Sequence, residues 1–311
     1  MMAALTIGLL SPGDMGHTIG AMLRGHGARL LTCLDGRSAR TRALAATAGF
    51  EDVPTLEELV RECDLLLSVL VPAQAGDTAR RVAAAIAREG TTRGRDLLYA
   101  DCNAIAPRTV TAIGEAIMAT GARFADVGII GAPPSKPGIT HFYASGPGAA
   151  EFAAVEGYGL TVRPLDGPIG QASGFKMCYG ALTKGIQALG TELLVAAQLM
   201  GFDEALAAEQ RESVPALRAH LERAVPSFPP KAHRWVGEME EIALCFADLG
   251  LTPRILLGAS DLFAFVAETP IGKESPESRD TGRDLAGVVR VLADDLAAKG
   301  AAPAGTESRQ G

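Results

Sequence analysis

Residues 7–16 read Ile-Gly-Leu-Leu-Ser-Pro-Gly-Asp-Met-Gly, an apolar run that stops at a turn holding Gly13 and Gly16 and leads into a helix-forming stretch. Strand, glycine turn and helix in that order open a βαβ unit, and such a turn is where these units receive the phosphates of a dinucleotide. Gly13 stands where a missing side chain lets backbone N–H groups approach a pyrophosphate, and Gly16 where the next helix must pack closely on its strand. The first glycine of the G-x-G-x-x-G pattern is Ser11 here, so the match is incomplete and an ordinary strand-turn-helix is the competing interpretation. Context favours the ligand. Asp35 follows the next apolar run, 30–34, about twenty residues beyond Gly16, where an acid would meet a ribose 2′-hydroxyl. The expected phosphate turn is therefore Ser11, Pro12, Gly13, Asp14, Met15 and Gly16.

Outward from this unit, apolar runs at 30–34, 65–71, 97–100, 124–130 and 139–145 alternate with helix candidates at 55–61, 73–88 and 107–119. Such alternation predicts an α/β fold, a doubly wound and mostly parallel sheet with helices on both faces. In open sheets of this kind the carboxyl ends of the strands carry the ligand. Besides the first turn, those ends bring forward Asp35 to Ser38, Val71 to Gln74 with Pro72 between them, Asp101 to Asn103, and Gly131 to Gly138. From about residue 168 the strands stop, and helical periods run over 171–200, 203–223, 230–249, 253–267 and 280–298. The expected organisation is a dinucleotide-binding domain over 1–167, an all-helical domain over 168–300 and a disordered tail over 301–311.

Composition narrows the partners. The 311 residues are 48% hydrophobic, ample for packed cores, and carry a formal net charge of −7, which offers no basic surface to nucleic acid or anionic lipid. No apolar run approaches the length of a membrane span. The five cysteines, Cys33, Cys63, Cys102, Cys178 and Cys245, form no C-x-x-C pair and read as reduced core thiols of a cytoplasmic protein. No group of His, Cys, Asp and Glu has metal-ligand spacing, so no metal is expected.

The stretch Gly167-Pro-Ile-Gly-Gln-Ala-Ser-Gly-Phe-Lys176 opens the longest helix. Lys176, Tyr179, Gly180, Thr183 and Gln187 share one face of it, while its other positions are largely apolar. A polar stripe on an apolar helix must be satisfied, and a cleft lined by cofactor and substrate is one way to do so. The alternative is a lysine that reaches the surface or pairs with an acid.

These segments together carry a family likeness over nearly the whole length. The chain resembles the β-hydroxyacid dehydrogenases, the superfamily of 3-hydroxyisobutyrate dehydrogenases, 6-phosphogluconate dehydrogenases and imine reductases. Gly13-Asp-Met-Gly16 is similar to that family's G-x-M-G turn, Asp101 to Pro107 to its D-x-S-x-x-x-P segment, and Gly167-x-x-Gly170 before Lys176 to its G-x-x-G-x-G-x-x-x-K signature. The resemblance implies a Rossmann domain, an all-helical domain that interlocks with a partner subunit in a homodimer, and Lys176 as the catalytic acid/base. Three positions depart from it. The substrate-binding serine corresponds to Ile130, beside Gly131; the asparagine after the lysine is Tyr179; and the late K-D pair is Gly237-Glu238. Residues 231–241 are most similar to the branch with a C-terminal domain of unknown function, DUF1932.

Of the remaining candidates, Arg234 and Glu238 lie one helical turn apart, either as a solvated ion pair or with His233 as a substrate anchor. Arg37 and Ser38 suit the 2′-phosphate of NADP, whereas Asp35 suits NAD, so both cofactors stay open; the likeness of Gly36-Arg37-Ser38 to the family's N-R-T/S turn points to NADP. The function expected is hydride transfer between a nicotinamide and the hydroxyl or carbonyl carbon of a small molecule, with Asn103, Ile130, Gly131 and Thr183 near it. The loss of two compact polar groups at Ile130 and Tyr179 points to a substrate bulkier or more apolar than short 3-hydroxy acids. The rival expectations are an imine or ketone reductase using Tyr179, and a cofactor-bound sensor or structural dimer without catalysis.

Overall fold

The computed structural model describes residues 5–89, 97–275 and 277–299; the tail expected at 301–311 lies outside them. The chain opens with β1 (Thr6–Leu10), α1 (Gly16–Gly25), β2 (Arg29–Thr32), α2 (Ala39–Ala48), β3 (Glu51–Asp52), α3 (Leu56–Glu62), β4 (Leu65–Ser68) and α4 (Pro72–Glu89). It continues with β5 (Leu98–Asp101), α5 (Pro107–Met118), β6 (Arg123–Gly131), β7 (Thr140–Ser145), α6 (Ala149–Phe152) and β8 (Thr161–Pro164). The eight strands form one sheet in the order β3-β2-β1-β4-β5-β6-β7-β8. Only β6 and β7 run antiparallel; every other neighbouring pair is parallel. The chain reverses its direction of build between β1 and β4, and this switch opens a crevice at their carboxyl ends.

Both faces of the sheet are covered, which is why its strands read as continuous apolar runs. Ile7, Leu9, Leu67, Ala100 and Val127 pack with Ile19 and Leu23 of α1 on one face. Leu10, Leu31, Leu66, Tyr99 and Phe124 pack with Val82 of α4 and Val110 of α5 on the other.

The helical part comprises α7 (Gln171–Met200), α8 (Asp203–Ser213), α9 (Pro215–Ala224), α10 (Ala232–Asp248), α11 (Arg254–Glu268) and α12 (Leu285–Ala298). Two expected helices are corrected here. The period over 203–223 is two helices, because Pro215 lacks the N–H that a continuous helix needs and pushes Val214 out of helical geometry, to φ −137° and ψ 52°. The last helix starts at 285 rather than 280, since the Asp284 side chain caps it by accepting the Gly287 N–H at 2.8 Å. None of the described helices is long and apolar enough to cross a membrane.

By packing, the described residues divide into two compact units, one of those up to 179 with 244–251 and one of 180–243 with those from 252 onward. This division falls inside α7, whose first turns are held against the sheet.

Candidate active site

The turn after β1 is built around Ser11, whose φ of 63° makes it the sole non-glycine residue in the left-handed region among those described. The first glycine of the usual pattern is missing from the sequence, yet the backbone still takes the conformation that glycine would favour, at a cost of about 1–2 kcal/mol. The Gly13 N–H returns to the Ser11 carbonyl at 2.7 Å, and the Gly13 carbonyl accepts both the His17 N–H at 2.9 Å and His17 Nδ1–H at 2.7 Å. Helix α1 then begins at Gly16 behind Met15, with no side chain capping it. A helix N-terminus of this kind presents N–H groups and a partial positive charge to an anion.

The two glycines of the turn are kept for different reasons. A Cβ on Gly16 would stand 2.9 Å from Leu9 Cδ2 and 3.0 Å from the Ser11 carbonyl, so the close packing of α1 on β1 requires glycine. A Cβ on Gly13 would meet nothing nearer than the Ser11 carbonyl at 4.0 Å, and its φ is not left-handed. No protein atom demands a glycine there. The place its side chain would take is open, and the residues present are compatible with a dinucleotide pyrophosphate there.

At the end of β2, Asp35 is exposed, and Ser38 serves as the N-cap of α2, accepting the Thr41 N–H at 3.2 Å. Arg40 is paired with Asp14 of the turn after β1. Arg37 is half-buried, and burial together with the Arg81 guanidinium on α4 pulls it below the usual arginine range. Arg81 had no signal in the sequence; only the register of α4 brings it to this corner.

Along the next strand ends, Asn103 is buried and joins two loops: its Nδ2–H donates to Ser68 Oγ at 3.0 Å and its Oδ1 accepts the Leu70 N–H at 2.6 Å. Val71, exposed, and Pro72, the first residue of α4, follow directly. Ile130 is half-buried on β6 opposite His141 of β7, and Gly131 ends the strand opposite Thr140.

Lys176 is brought to this edge by Asp126, a fully buried carboxylate on β6. Asp126 accepts Ser145 Oγ–H at 3.0 Å, the Gly170 N–H at 2.9 Å, the Ser173 N–H at 3.1 Å and Ser173 Oγ–H at 2.6 Å. It thereby pins the start of α7 to the sheet and satisfies N–H groups of that helix terminus. Gly128 completes the seat, since a Cβ there would lie 2.7 Å from the Ala172 carbonyl and 3.3 Å from Lys176 Cβ. The Lys176 amine donates to the Cys102 carbonyl at 3.4 Å, just past β5. Beside it lies Asp101, 1% exposed, with its carboxyl raised to about 7, chiefly by burial. Asp101 stands among the strand-end residues read from the sequence, without an assigned role, and Asp126 was not singled out there, although a charged residue at position 126, within the apolar run 124–130, is the mark of a partnered buried group. Tyr179, on the next turn of α7, is 48% exposed.

The other expected site residues belong to the second unit. Thr183 is half-buried, and its carbonyl accepts Gln187 Nε2–H at 2.9 Å, so this end of the polar stripe is satisfied within the helix. Glu238 of α10 is bonded at 3.0 Å to Lys184 of α7, whose amine lies 5.5 Å above the Trp235 ring. Arg234 is half-buried and His233 exposed on the same helix. All five cysteines are free thiols, though Cys178 is exposed and Cys33 half-buried rather than in the core. Among the described residues no group of three or more His, Cys, Asp or Glu could hold a metal ion.

Residues 6–155 match the model of the NAD binding domain of 6-phosphogluconate dehydrogenase, and 197–266 match the domain of unknown function DUF1932. An uncharacterised 28.5 kDa protein of Methanothermus fervidus is 25% identical over 85% of this chain and 100% of its own length. A conserved protein of unknown function, whose solved structure is similar to 3-hydroxyacid dehydrogenases, is 28% identical with a TM-score of 0.63 over 84% of this chain and 98% of its own. The 3-hydroxyisobutyrate dehydrogenase of Mycobacterium tuberculosis shares the fold at 17% identity, with a TM-score of 0.66 over 93% of this chain and 99% of its own.

Proposed function

We propose that this chain, which belongs to the 6-phosphogluconate dehydrogenase-like β-hydroxyacid dehydrogenases with a DUF1932 domain, is an NAD(P)-dependent oxidoreductase acting at a hydroxyl or carbonyl carbon. The observation that supports it is the Lys176 amine at the Cys102 carbonyl, on a helix start pinned by Asp126 at the same sheet edge that carries the glycine turn. When bound, the nicotinamide supplies or takes up the hydride. The turn at 11–16 and the uncapped first turn of α1 hold the pyrophosphate. Lys176 takes the substrate's hydroxyl proton in oxidation and returns a proton to the carbonyl oxygen in reduction.

NADP is the cofactor this site favours. The charge of Arg81 bears on Arg37 beyond the end of β2, and a 2′-phosphate bound by these guanidinium groups would relieve their repulsion and offer bidentate bonding. Ile130 gives the substrate an apolar neighbour, so the preferred alcohol or carbonyl is bulkier or more apolar than a short 3-hydroxy acid; a carboxylate buried without partners costs several kcal/mol. The second unit exposes Leu182, Leu189 and Ile255, at 62%, 64% and 75%, and a homodimer through this helical part covers them.

An imine or ketone reductase with Tyr179 as proton donor is the second reading, supported by the exposure of that phenol one turn from Lys176. Following absorbance at 340 nm with both cofactors and a panel of alcohols, aldehydes, ketones and imines, on the unsubstituted protein and on Lys176→Ala and Tyr179→Phe, separates the two. Turnover of imines alone rejects the first, and absence of turnover with every class rejects both.

A further inference from the structure

Proton transfer by Lys176 leaves a buried carboxyl nearby without a task. Asp101 Oδ1 accepts the Asn103 N–H at 3.0 Å, whereas Oδ2 is buried with no hydrogen-bond partner among the described residues. A carboxyl oxygen in that state costs free energy and needs a reason. The titratable and charged groups that face Asp101 are Asp126 from β6, Lys176 from α7, and Tyr99 and Cys102 from its own strand and the residue beyond it. Asp126 is occupied by its four bonds to Ser145, Gly170 and Ser173. Burial pushes Tyr99 and the Cys102 thiol well up, so both stay neutral across the physiological range. The one cation of the group is Lys176, and its amine sits on the carbonyl of the residue that follows Asp101.

We propose that Asp101 is the positioning residue of Lys176: its buried, half-partnered carboxyl is the counter-charge that sets the protonation state of the Lys176 amine at the end of β5. This deepens, and rests on, the reading of Lys176 as the proton-transfer residue. An ionised Asp101 favours the ammonium form that gives a proton to a carbonyl oxygen; a neutral one releases the amine toward the form that takes a proton from a hydroxyl. The two groups titrate as a pair.

The chain has six lysines, few enough to follow individually by NMR in the ligand-free protein after reductive methylation with 13C-formaldehyde. The Lys176 resonance is the one absent from Lys176→Arg. In Asp101→Asn its titration midpoint falls by one pH unit or more while the other lysines keep theirs; an unmoved midpoint overturns the proposal. In the unsubstituted protein the same resonance also shifts as Asp101 titrates, and a Lys176 resonance flat between pH 5 and 9 overturns it without any variant. Lys176→Ala assayed at 340 nm separates the two ideas. If it turns over normally while the midpoint still moves, the pairing stands and the catalytic reading fails; if it is inactive and the midpoint does not move, the reverse holds.

Discussion

The two glycines of the turn after β1 respond in opposite ways to one added methyl group. At Gly16 the new Cβ would stand 2.9 Å from Leu9 Cδ2 and 3.0 Å from the Ser11 carbonyl, so strand and helix must move apart. Overpacking of this kind costs about 1–3 kcal/mol, and the better helix propensity of alanine returns at most about 1 kcal/mol. Gly16→Ala therefore loses about 1–2 kcal/mol, and Tm falls by several degrees, at roughly 2–4 °C per kcal/mol for a domain of this size. At Gly13 the nearest atom is 4.0 Å away and the backbone is open to any L-residue. Gly13→Ala leaves Tm unchanged or raises it slightly, because alanine restricts the unfolded chain. Its methyl group projects instead into the space assigned to the pyrophosphate, and NADPH affinity falls at least tenfold, about 1.4 kcal/mol. Thermal melts and fluorescence titration with NADPH on both variants measure the two effects. Wild-type NADPH affinity in Gly13→Ala would refute the assignment of the turn, and a large loss of Tm there would show that the fold, not a ligand, keeps the glycine.

Lys176→Ala is expected to lose about a hundredfold or more in turnover with cofactor affinity kept; a variant retaining most turnover moves the proton to Tyr179. Arg37→Ala is expected to weaken NADPH binding tenfold or more and leave NADH binding nearly unchanged, which parallel titrations check. Asp101 gives a stability prediction with a definite sign. Its folded value of about 7 lies some three pH units above the ordinary 3.8, so the folded state binds the proton more tightly, and the stability present below pH 4 is lost as pH rises to 7. Urea unfolding should find Asp101→Asn gaining on the unsubstituted protein across that window, by up to roughly 4 kcal/mol at 1.36 kcal/mol per pH unit; a pH-independent difference contradicts it. Light scattering at micromolar concentration should return about twice the 32.2 kDa of one chain; a mass near one chain rejects the homodimer.

What could be read from the sequence was what period and punctuation encode. The runs at 30–34, 65–71, 97–100, 124–130 and 139–145 became strands because a strand buried on both faces has no other composition available to it. β3 is two acidic residues, Glu51 and Asp52, held by pairing with Leu31 and Thr32, by the Arg29–Glu51 ion pair and by the Leu34 N–H that donates to Asp52, and no local signal distinguishes them from a loop. β8, Thr161–Pro164, is an edge strand four residues long, equally silent. The break at Val214–Pro215 was written in the sequence and outvoted by the apolar period around it.

The site divides along the same line. Ser11, Gly13 and Gly16 are legible because chain order alone brings them to a strand end, and Lys176 because a polar stripe on an apolar helix and its likeness to the family's lysine signature mark it. Arg81 acquires meaning only through packing, which couples its charge to that of Arg37, and the depth of β5 strips one carboxyl oxygen of Asp101, already at a strand end in the sequence, of partners. Asp126 links the two kinds. Its four bonds to Ser145, Gly170 and Ser173 convert a strand register into the position of a helix start, so the placement of Lys176 is decided fifty residues before the lysine itself. Asp126→Asn keeps the shape but surrenders an acceptor and the charge that favours the α7 terminus. If that bonding places the amine, the substitution lowers turnover while NADPH binding at the β1 turn persists; equal loss of both would mean that Asp126 supports the whole sheet rather than the lysine.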